Sequence, residues 1–383
     1  MQSIFQLVER LVMERVINHL QHLVGFDTQN PPRDISADSG IFSYMRSILD
    51  GHFTTRIWDH GDGHVSFLAC RGKPRILFNV HLDTVPIGEG WHGEPLKLAL
   101  RDDKAFARGA CDIKGAAACL LAIAEQVPEH MAMLFTTDEE GAGGCCVRRF
   151  LESGQGGDFE QVIVAEPTGC KAILGHRGYV SIKAWFIGEP GHSSEARTLE
   201  DNAIHQFTRW AAAGLELAES LKSSNSDPGT CLNIGLVEGG TKSNVIAGKV
   251  FAHASARLKP GASNKAFVNQ LVQCAPQGAQ VNWEVPFTGE PLPADGQNSD
   301  KAKAFAESMQ LELGDPVDFW TEASIFSEFG LPALVLGPGH IEQAHVADEW
   351  VSLNQLSHAH QIYKRIIRLD HGGPSSNRAA QEL

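Results

Sequence analysis

The sequence predicts an α/β fold, with a smaller α+β domain inserted into the chain of a larger domain. Three observations lead to this prediction. The chain has 383 residues, a length that suits two domains better than one. Up to about residue 165, apolar strands alternate with helical segments, as in a largely parallel sheet covered by helices. Between residues 178 and 288 the order changes to βαββαβ, which is typical of a ferredoxin-like sandwich.

The elements of the first part follow from hydrophobic periodicity. Apolar residues at helical spacing predict an amphipathic helix over residues 3–24, and Asp112 opens a helix-forming segment that ends near Gln126. The other predicted helices are 40–49 and 144–151, and the predicted strands are 54–58, 65–70, 75–80, 131–137 and 161–165, with a hairpin over 96–108.

The second part contains the insertion and the return to the first domain. The predicted strands are 180–187, 230–237, 249–258, 280–285 and 333–336, and the predicted helices are 199–221, 264–274, 300–313 and 353–369. A Pro/Gly-rich linker lies at 286–297. We therefore expect one domain of residues 1–177 and 289–383 and an inserted domain of residues 178–288. The polar end of the chain, 371–383, is predicted to be disordered.

Composition excludes several classes of function. The formal net charge is −14, which argues against nucleic acid and anionic membranes as partners. No apolar run is long enough to span a bilayer, and the first ten residues lack the pattern of a signal peptide, so neither a membrane span nor a signal peptide is expected. Its eight cysteines show no C-x-x-C spacing, so neither a zinc ribbon nor a disulfide framework is indicated. These features predict a cytoplasmic protein with reduced thiols.

Three predicted strands each end in side chains that bind metal ions. His81 and Asp83 follow strand 75–80, the run 138–140 (Asp-Glu-Glu) follows strand 131–137, and Glu166 follows strand 161–165. The C-terminal ends of such strands carry the ligand sites of α/β sheets. A run of acids is ordinarily a solvated turn, and Asp112 alone is an ordinary helix N-cap. The repetition at three apolar strands instead favours a buried cation site.

The candidate ligands are His81, Asp112, Glu140, Glu166 and His345. Two histidines and three carboxylates suit a pair of zinc-like ions that share one carboxylate.

Two further acids are expected to act beside these ligands. Asp83 lies two residues after His81 on the same side of its strand, so it is expected to orient the imidazole. Glu139 is adjacent to a ligand and is expected to transfer a proton as general acid/base.

Five motifs taken together resemble the M20 family of dinuclear zinc amidohydrolases and peptidases. They are HLDTVP at 81–86, GACDIKG at 109–115, TDEEG at 137–141, EPT at 166–168 and GHSS at 191–194. The resemblance runs in order from about residue 23 to residue 351. It implies a zinc-exopeptidase-like catalytic domain with an inserted ferredoxin-like domain that acts as a lid and forms a homodimer.

The resemblance also implies the metal ligation. Asp112 would bridge two Zn²⁺ ions, for which Co²⁺ can substitute. His81 and Glu166 would complete one site, and Glu140 and His345 would complete the other.

For the inserted domain, the resemblance implies contacts with the substrate. His192 stands in a Gly-rich turn, where a surface histidine is the ordinary expectation. By the resemblance it would stabilise the oxyanion, often in the site of the partner subunit. Asn244 and Arg257 would contact the substrate carboxylate, and either residue could equally be structural. The chain has Ser255-Ala256-Arg257 where relatives carry Asp-x-Arg, so any role for that Asp is lost.

Several stretches narrow the resemblance within the family. TEA at 321–323 together with LGPGHIEQAH at 336–345 resembles the acetylornithine deacetylases. FDTQNPPR at 26–33 and VDFWTEAS at 317–324 resemble the acetylcitrulline deacetylase branch still more. They imply a hydrolase that removes acetate from N-acetyl-L-ornithine or N-acetyl-L-citrulline in arginine biosynthesis. Ornithine is placed first because the commoner members use it. The alternatives are another M20 activity, such as a succinyl-diaminopimelate desuccinylase, a dipeptidase or a carboxypeptidase, and an inactive relative that binds small acids.

Overall fold

The structure is a computed structural model of the chain, and it describes residues 2–141, 145–222 and 229–372. The predicted disordered tail meets this part only at residues 371 and 372, which end the last helix, while 373–383 lie outside the described residues. Two compact units are present: Met1–Leu174 with Gly296–Asp315 and Thr321–Leu383, and Gly175–Asp295 with Pro316–Trp320. Among the described residues, no helix combines the length and apolar character that a bilayer span requires.

The helices and strands are numbered in chain order. The helices are α1 (Gln2–Val24), α2 (Gly40–Leu49), α3 (Gly115–Gln126), α4 (Cys145–Glu152), α5 (Ala203–Ser220), α6 (Asn264–Gln273), α7 (Gly296–Ser308), α8 (Ala323–Glu328) and α9 (Leu353–Gly372). The strands are β1 (Thr54–Asp59), β2 (Val65–Arg71), β3 (Ile76–His81), β4 (Ala99–Arg101), β5 (Lys104–Phe106), β6 (Met131–Thr136), β7 (Gln161–Val164), β8 (Gly178–Ile187), β9 (Cys231–Gly239), β10 (Lys249–Leu258), β11 (Gln280–Gly289), β12 (Ala333–Val335) and β13 (Trp350–Ser352).

The first unit is built on a mixed sheet with the strand order β1-β2-β6-β3-β7-β12. Strands β6, β3, β7 and β12 are parallel to one another, whereas β1 and β2 pair antiparallel at one end. Every residue of β3, β6 and β7 is buried. This is expected for central parallel strands, whose sequences form continuous apolar runs. Helices α4, α7 and α8 pack against strands of this sheet. The predicted α/β fold class is therefore confirmed.

Helix α3 lies in the core of this unit and packs against α1 and α9. Its residues from Gly115 to Ala124 are buried. Small side chains permit this close packing: a Cβ at Gly115 would lie 2.5 Å from the carbonyl oxygen of Ala110 and 3.0 Å from Cδ2 of Leu356. This close contact at Gly115 fixes the turn before α3, and that turn carries Asp112.

A small sheet, β13-β5-β4, lies beside this turn. The predicted hairpin is present but shorter than expected, with three residues in each strand. Its second strand β5 is the middle strand of the small sheet and pairs antiparallel with β13, so that Trp350 lies opposite Phe106. This pairing joins two segments that are far apart in the sequence.

The second unit has the element order β8-α5-β9-β10-α6-β11 and an antiparallel sheet ordered β11-β8-β10-β9. Alternate residues of β10 are buried beneath α5 and α6. The core of this unit includes Phe186 and Trp210, whose ring centroids are 5.5 Å apart. This is the ferredoxin-like arrangement that the sequence predicts.

Candidate metal centre

The predicted ligands of the first unit lie at the ends of its central strands. His81 is the last residue of β3, while Glu140 and Glu166 follow β6 and β7. Because these three strands are parallel neighbours, their C-terminal ends meet at one edge of the sheet. Asp112 reaches the same place from the turn before α3, and His345 from the segment between β12 and β13.

Asp112 belongs to two groups of side chains. Its Oδ1 lies 3.0 Å from Nε2 of His81, which is itself 3.5 Å from Oε1 of Glu166. Its Oδ2 lies 3.0 Å from Nε2 of His345, which is 3.1 Å from Oε2 of Glu140. In each group, one atom from each residue lies within 4.8 Å of the others, a distance that allows them to hold a metal ion. One carboxylate therefore stands between two histidines.

The charges of these groups require cations. The side chains of Asp112, Glu140 and Glu166 are only 7%, 5% and 6% exposed. Burial raises the pKa of Glu140, as does repulsion by Asp112, and burial raises the pKa of Glu166 well above its usual range. Oε1 of Glu166 is buried without a hydrogen-bond partner. A buried carboxylate oxygen without a donor is costly, so this cluster fits metal ions.

The neighbouring carboxylates also change the pKa of a histidine in this cluster, and the histidines change the pKa of Asp112. Burial alone would lower the pKa of His345, but hydrogen bonds with Asp112 and Glu140 raise it to about 11. Burial opposes ionisation of Asp112, yet its hydrogen bonds with His345 and His81 lower its pKa. In the absence of metal, the imidazoles thus supply the positive charge that the carboxylates need.

Asp83 contacts His81 through both its backbone and its side chain. The Nδ1–H of His81 donates to the backbone carbonyl oxygen of Asp83 at 2.9 Å, whereas the Asp83 carboxylate is 3.5 Å away. This bond leaves Nε2 of His81 directed at Asp112 and Glu166, as a ligand must be. Residue 83 therefore orients the imidazole mainly through its backbone, and its carboxylate has other partners.

The Asp83 carboxylate holds the loop that carries the general acid/base candidate. It accepts hydrogen bonds from the backbone N–H groups of Glu139 (3.3 Å) and Glu140 (3.0 Å) and from Nδ2 of Asn30 (2.8 Å). The side chain of Asn30 is bound in turn by Nε of Arg33 at 2.9 Å. Asn30 and Arg33 thus belong to the site region, although the sequence marked their segment only as a loop with a family resemblance.

Glu139 lies within reach of the metal ligands without belonging to the two groups that share Asp112. It is half-buried and forms a third cluster with His81 and Glu140. Burial raises the pKa of Glu139 well above its usual range, and the neighbouring carboxylates of Glu166 and Glu140 raise it further. A carboxyl group with a raised pKa can both accept and return a proton near neutral pH.

The third acid of the run, Asp138, has a separate role. Its Oδ2 accepts hydrogen bonds from Nδ1 of His64 (2.8 Å) and from the backbone N–H groups of Cys145 (2.8 Å) and Cys146 (3.0 Å). The last two bonds satisfy donors at the start of α4. Asp138 therefore anchors the following helix while its two neighbours face the ligand cluster.

The turn that carries Asp112 is not the predicted start of a helix. Asp112 and Ile113 have non-helical backbone angles (φ −121°, ψ 91° and φ −132°, ψ 30°), and α3 begins at Gly115. Gly109 opens the turn with φ 80°, where a Cβ would lie 2.8 Å from Cγ2 of Thr84. Only glycine combines that backbone conformation with so little space. The simple N-cap interpretation of Asp112 is thereby excluded.

The predicted residues of the second unit fall into two places. His192 and Asn244 are exposed neighbours: the N–H of Ser193 donates to the carbonyl of Asn244 at 3.2 Å, and His192 forms an isolated bridge with Val245. Nδ1 of His192 lies 2.8 Å from Oγ of Ser194. Arg257 is half-buried, with its guanidinium carbon 4.1 Å from the ring centroid of Tyr179.

These two places are at opposite ends of paired strands. Asn244 precedes the first residue of β10, Lys249, whereas Arg257 lies near its last residue, opposite Tyr179 at the start of β8. Eight residues of strand separate Lys249 from Arg257, a distance of about 25 Å at about 3.3 Å per residue. Within one copy of the inserted domain, His192 and Arg257 are therefore not neighbours.

Comparison with known sequences identifies the family of the chain. A family model described as Peptidase family M20/M25/M40 matches residues 77–369. The chain is 41% identical over 367 residues to N-acetyl-L-citrulline deacetylase from Xanthomonas campestris pv. campestris, covering 94% of this chain and 99% of the relative. It is 30% identical over 299 residues to acetylornithine deacetylase from Vibrio parahaemolyticus, covering 74% of this chain and 78% of the relative.

Solved structures show the same fold. The aminopeptidase PepT from Bacillus cereus matches with a TM-score of 0.72 at 19% identity, over 94% of this chain and 99% of that chain. A dinuclear metal-binding peptidase of the M20 family from Bacillus subtilis matches with a TM-score of 0.62 at 14% identity, over 94% and 98%. On the match of the family model and the relative at 41% identity, the chain belongs to peptidase family M20/M25/M40, as its five motifs predict.

Proposed function

We propose that this protein is a zinc-dependent hydrolase that cleaves the N-acetyl amide of a small amino acid and releases acetate. The carboxylate of Asp112, 3.0 Å from both His81 and His345, carries the proposal. Such an arrangement suits two metal ions that share one ligand, with His81 and Glu166 on one side and Glu140 and His345 on the other. Imidazole and carboxylate donors favour Zn²⁺, and Co²⁺ is expected to replace it.

The residues of this chain supply the proton transfers. The two ions, when bound, would provide Lewis-acid chemistry to the amide carbonyl and to the attacking water. Glu139 accepts a proton as water attacks the carbonyl carbon and returns it to the amide nitrogen as the C–N bond breaks. Asp83 keeps Glu139 in place by accepting its backbone N–H at 3.3 Å.

The amino-acid half of the substrate decides between the two acetylated compounds. Ornithine ends in an ammonium, which calls for a carboxylate, whereas citrulline ends in a neutral ureido group. Glu322 directly precedes α8 and is an acid that the sequence alone makes a candidate for this contact; it is only 1% exposed, however, and accepts a hydrogen bond from Oγ1 of Thr136 at 3.0 Å. Burial raises its pKa to about 8, so it offers no exposed negative charge.

Sequence identity to the relatives also favours N-acetyl-L-citrulline as the substrate. The identity is 41% to the acetylcitrulline enzyme and 30% to the acetylornithine enzyme. We therefore place N-acetyl-L-citrulline before N-acetyl-L-ornithine, reversing the order that the sequence alone suggested. The peptidases among the solved structures are under 25% identical and support the fold only, so peptides serve here as control compounds.

The inserted domain is proposed to act as a lid and to form a homodimer. Its outer strand β9 pairs with β10 on one side, and Leu236 and Val237 on it are 43% and 45% exposed. An outer strand of this kind is a template for pairing with a second copy. Because His192 and Arg257 lie at opposite ends of paired strands, one active site would receive them from two lids. We propose that His192 and Asn244 serve the partner's site, while the planar fork of Arg257 holds a substrate carboxylate.

A panel of substrates with metal analysis tests the proposed function. We expect the zinc-loaded protein to show its highest kcat/KM with N-acetyl-L-citrulline, then with N-acetyl-L-ornithine, against N-succinyl-diaminopimelate and a dipeptide. A preference for either of the last two compounds would contradict deacetylation and leave the zinc hydrolase standing. A folded protein that holds no zinc and hydrolyses none of the four would instead match the inactive, small-acid-binding alternative.

A further inference from the structure

A buried carboxylate that the sequence did not single out organises the turn of Asp112. The side chain of Glu349 is 1% exposed, and four donors converge on its two oxygens. Oε1 accepts from the backbone N–H groups of Cys111 (2.8 Å) and Asp112 (3.0 Å). Oε2 accepts from the backbone N–H of Gly109 (2.9 Å) and from Nη1 of Arg108 (2.8 Å).

These bonds replace those that a regular helix would supply. The backbone of Asp112 and Ile113 is non-helical, and residues 109–114 are buried. Without Glu349, three N–H groups of the turn would face the interior without an acceptor, which is unfavourable for a buried donor. A carboxylate is suited to this place because it has about four acceptor positions and no donor. A glutamine amide would direct an NH₂ group at two of the donors.

Glu349 also joins the segment that carries Asp112 to the segment that carries His345. It lies four residues after His345 and immediately before β13, and its own carbonyl oxygen accepts the N–H of Ala107 at 3.1 Å. Its partner Arg108 is 2% exposed and reaches the carbonyl oxygens of Pro86 (3.3 Å) and Ile87 (3.2 Å). The backbone and side chain of one residue thus bind the segment of Asp112 to the segment of His345.

We infer that Glu349 is a positioning residue of the metal centre: it sets the place of the shared ligand Asp112 relative to His345 through the backbone of the turn. The inference rests on the proposed function, because it concerns the ligands of the proposed zinc ions. Glu349 itself contacts the ligand's backbone and not its carboxylate. Its loss should therefore disturb metal binding without removing a ligand.

A purely structural role predicts a different outcome, and the chain offers a matched control. Asp370 is a second enclosed carboxylate, 7% exposed, that accepts from Nε (2.9 Å) and the backbone N–H (3.1 Å) of Arg75. Arg75 directly precedes β3, at the end of the strand away from His81. Asp370→Asn therefore weakens the hydrogen bonds between Arg75 and a carboxylate in the same unit, at the edge of the sheet opposite the ligands.

The test measures zinc affinity by competition with a chelator, together with Tm, for the whole protein and its variants. We expect Glu349→Gln to lose roughly 10–100-fold in zinc affinity, the usual effect of removing a partner that orients a ligand. Its kcat should fall with KM changed little. Asp370→Asn should lower Tm and keep the zinc affinity of the wild type.

Three results would overturn the inference. The first is wild-type zinc affinity in Glu349→Gln, and the second is an equal loss of affinity in Asp370→Asn. If Glu349→Gln fails to fold, Glu349→Asp replaces it, because its shorter carboxylate cannot reach both pairs of donors. The third result is then wild-type zinc affinity in Glu349→Asp. A wild-type protein that binds no zinc would fail the proposed function itself. The two failures are therefore distinguishable.

Discussion

The carboxylate of Asp83 accepts the backbone N–H of Glu140 at 3.0 Å, and through this bond the end of β3 fixes the loop that follows β6. The same carboxylate binds the N–H of Glu139. Residue 83 therefore serves both groups of the site, since its carbonyl orients His81 and its side chain places the two glutamates.

Asp83→Asn should lower kcat on the order of 10–100-fold, the range found when partners of metal ligands are altered. The asparagine amide keeps one acceptor but offers an NH₂ group to a site where three donors converge. Because the backbone carbonyl still orients His81, zinc should stay in the site of His81 and Glu166, and any weakening should be confined to the site of Glu140. Steady-state kinetics and elemental analysis check both parts. Loss of both zinc ions would show that the carboxylate, and not the carbonyl, orients the imidazole.

Glu139→Gln should retain zinc and lose about 10²–10⁴-fold in kcat, the contribution of general acid–base catalysis. Glutamine preserves the size of the side chain and removes its capacity to accept a proton. Glu140→Gln is the matched control, because Glu140 lies 3.1 Å from His345 and is expected to hold metal. If Glu139→Gln lost zinc while Glu140→Gln kept it, the two roles would have to be exchanged.

His192→Ala should lower kcat by about 10²–10³-fold, as the removal of an oxyanion donor does. The residue is exposed, so the fold should be unaffected. Near-wild-type kcat in this variant would make His192 an ordinary surface histidine.

Mixing the two inactive variants tests whether His192 acts across a dimer. Hybrid dimers of His192→Ala and Glu139→Gln should regain part of the activity, because one of their two sites has both residues intact. The two variants mixed after covalent cross-linking of each separately provide the control, since their subunits cannot exchange. Absence of recovery in freely exchanging mixtures would indicate a site completed within one chain.

Much of the fold could be predicted from the sequence because its signals are local. The runs of β3, β6 and β7 are buried, and each carries a ligand candidate at its last residue or within four residues after it. The βαββαβ order of the second unit could likewise be predicted from alternation and turn residues. Periodicity therefore sufficed for the fold class, and strand-end chemistry sufficed to propose His81, Glu140 and Glu166, whereas the roles of Asp112 and His345 depended on the family resemblance.

The remaining features depend on contacts across the sequence. Glu349 and Asp112 are 237 residues apart, and no spacing rule links them. Asp112 was predicted to open a helix, but the chain forms a non-helical turn because Glu349 accepts the turn's N–H groups. The one partial signal was Arg108, a charged residue directly before the GACDIKG motif, which required a buried acid as partner.

The most direct test of the dinuclear site is the zinc stoichiometry of three proteins: the wild type, Asp112→Ala and His345→Ala. We expect about two zinc ions per chain in the wild type. Asp112→Ala should weaken both sites, because the carboxylate lies 3.0 Å from each histidine, whereas His345→Ala should weaken mainly one. Full zinc content in folded Asp112→Ala would contradict the shared ligand and the dinuclear site that depends on it.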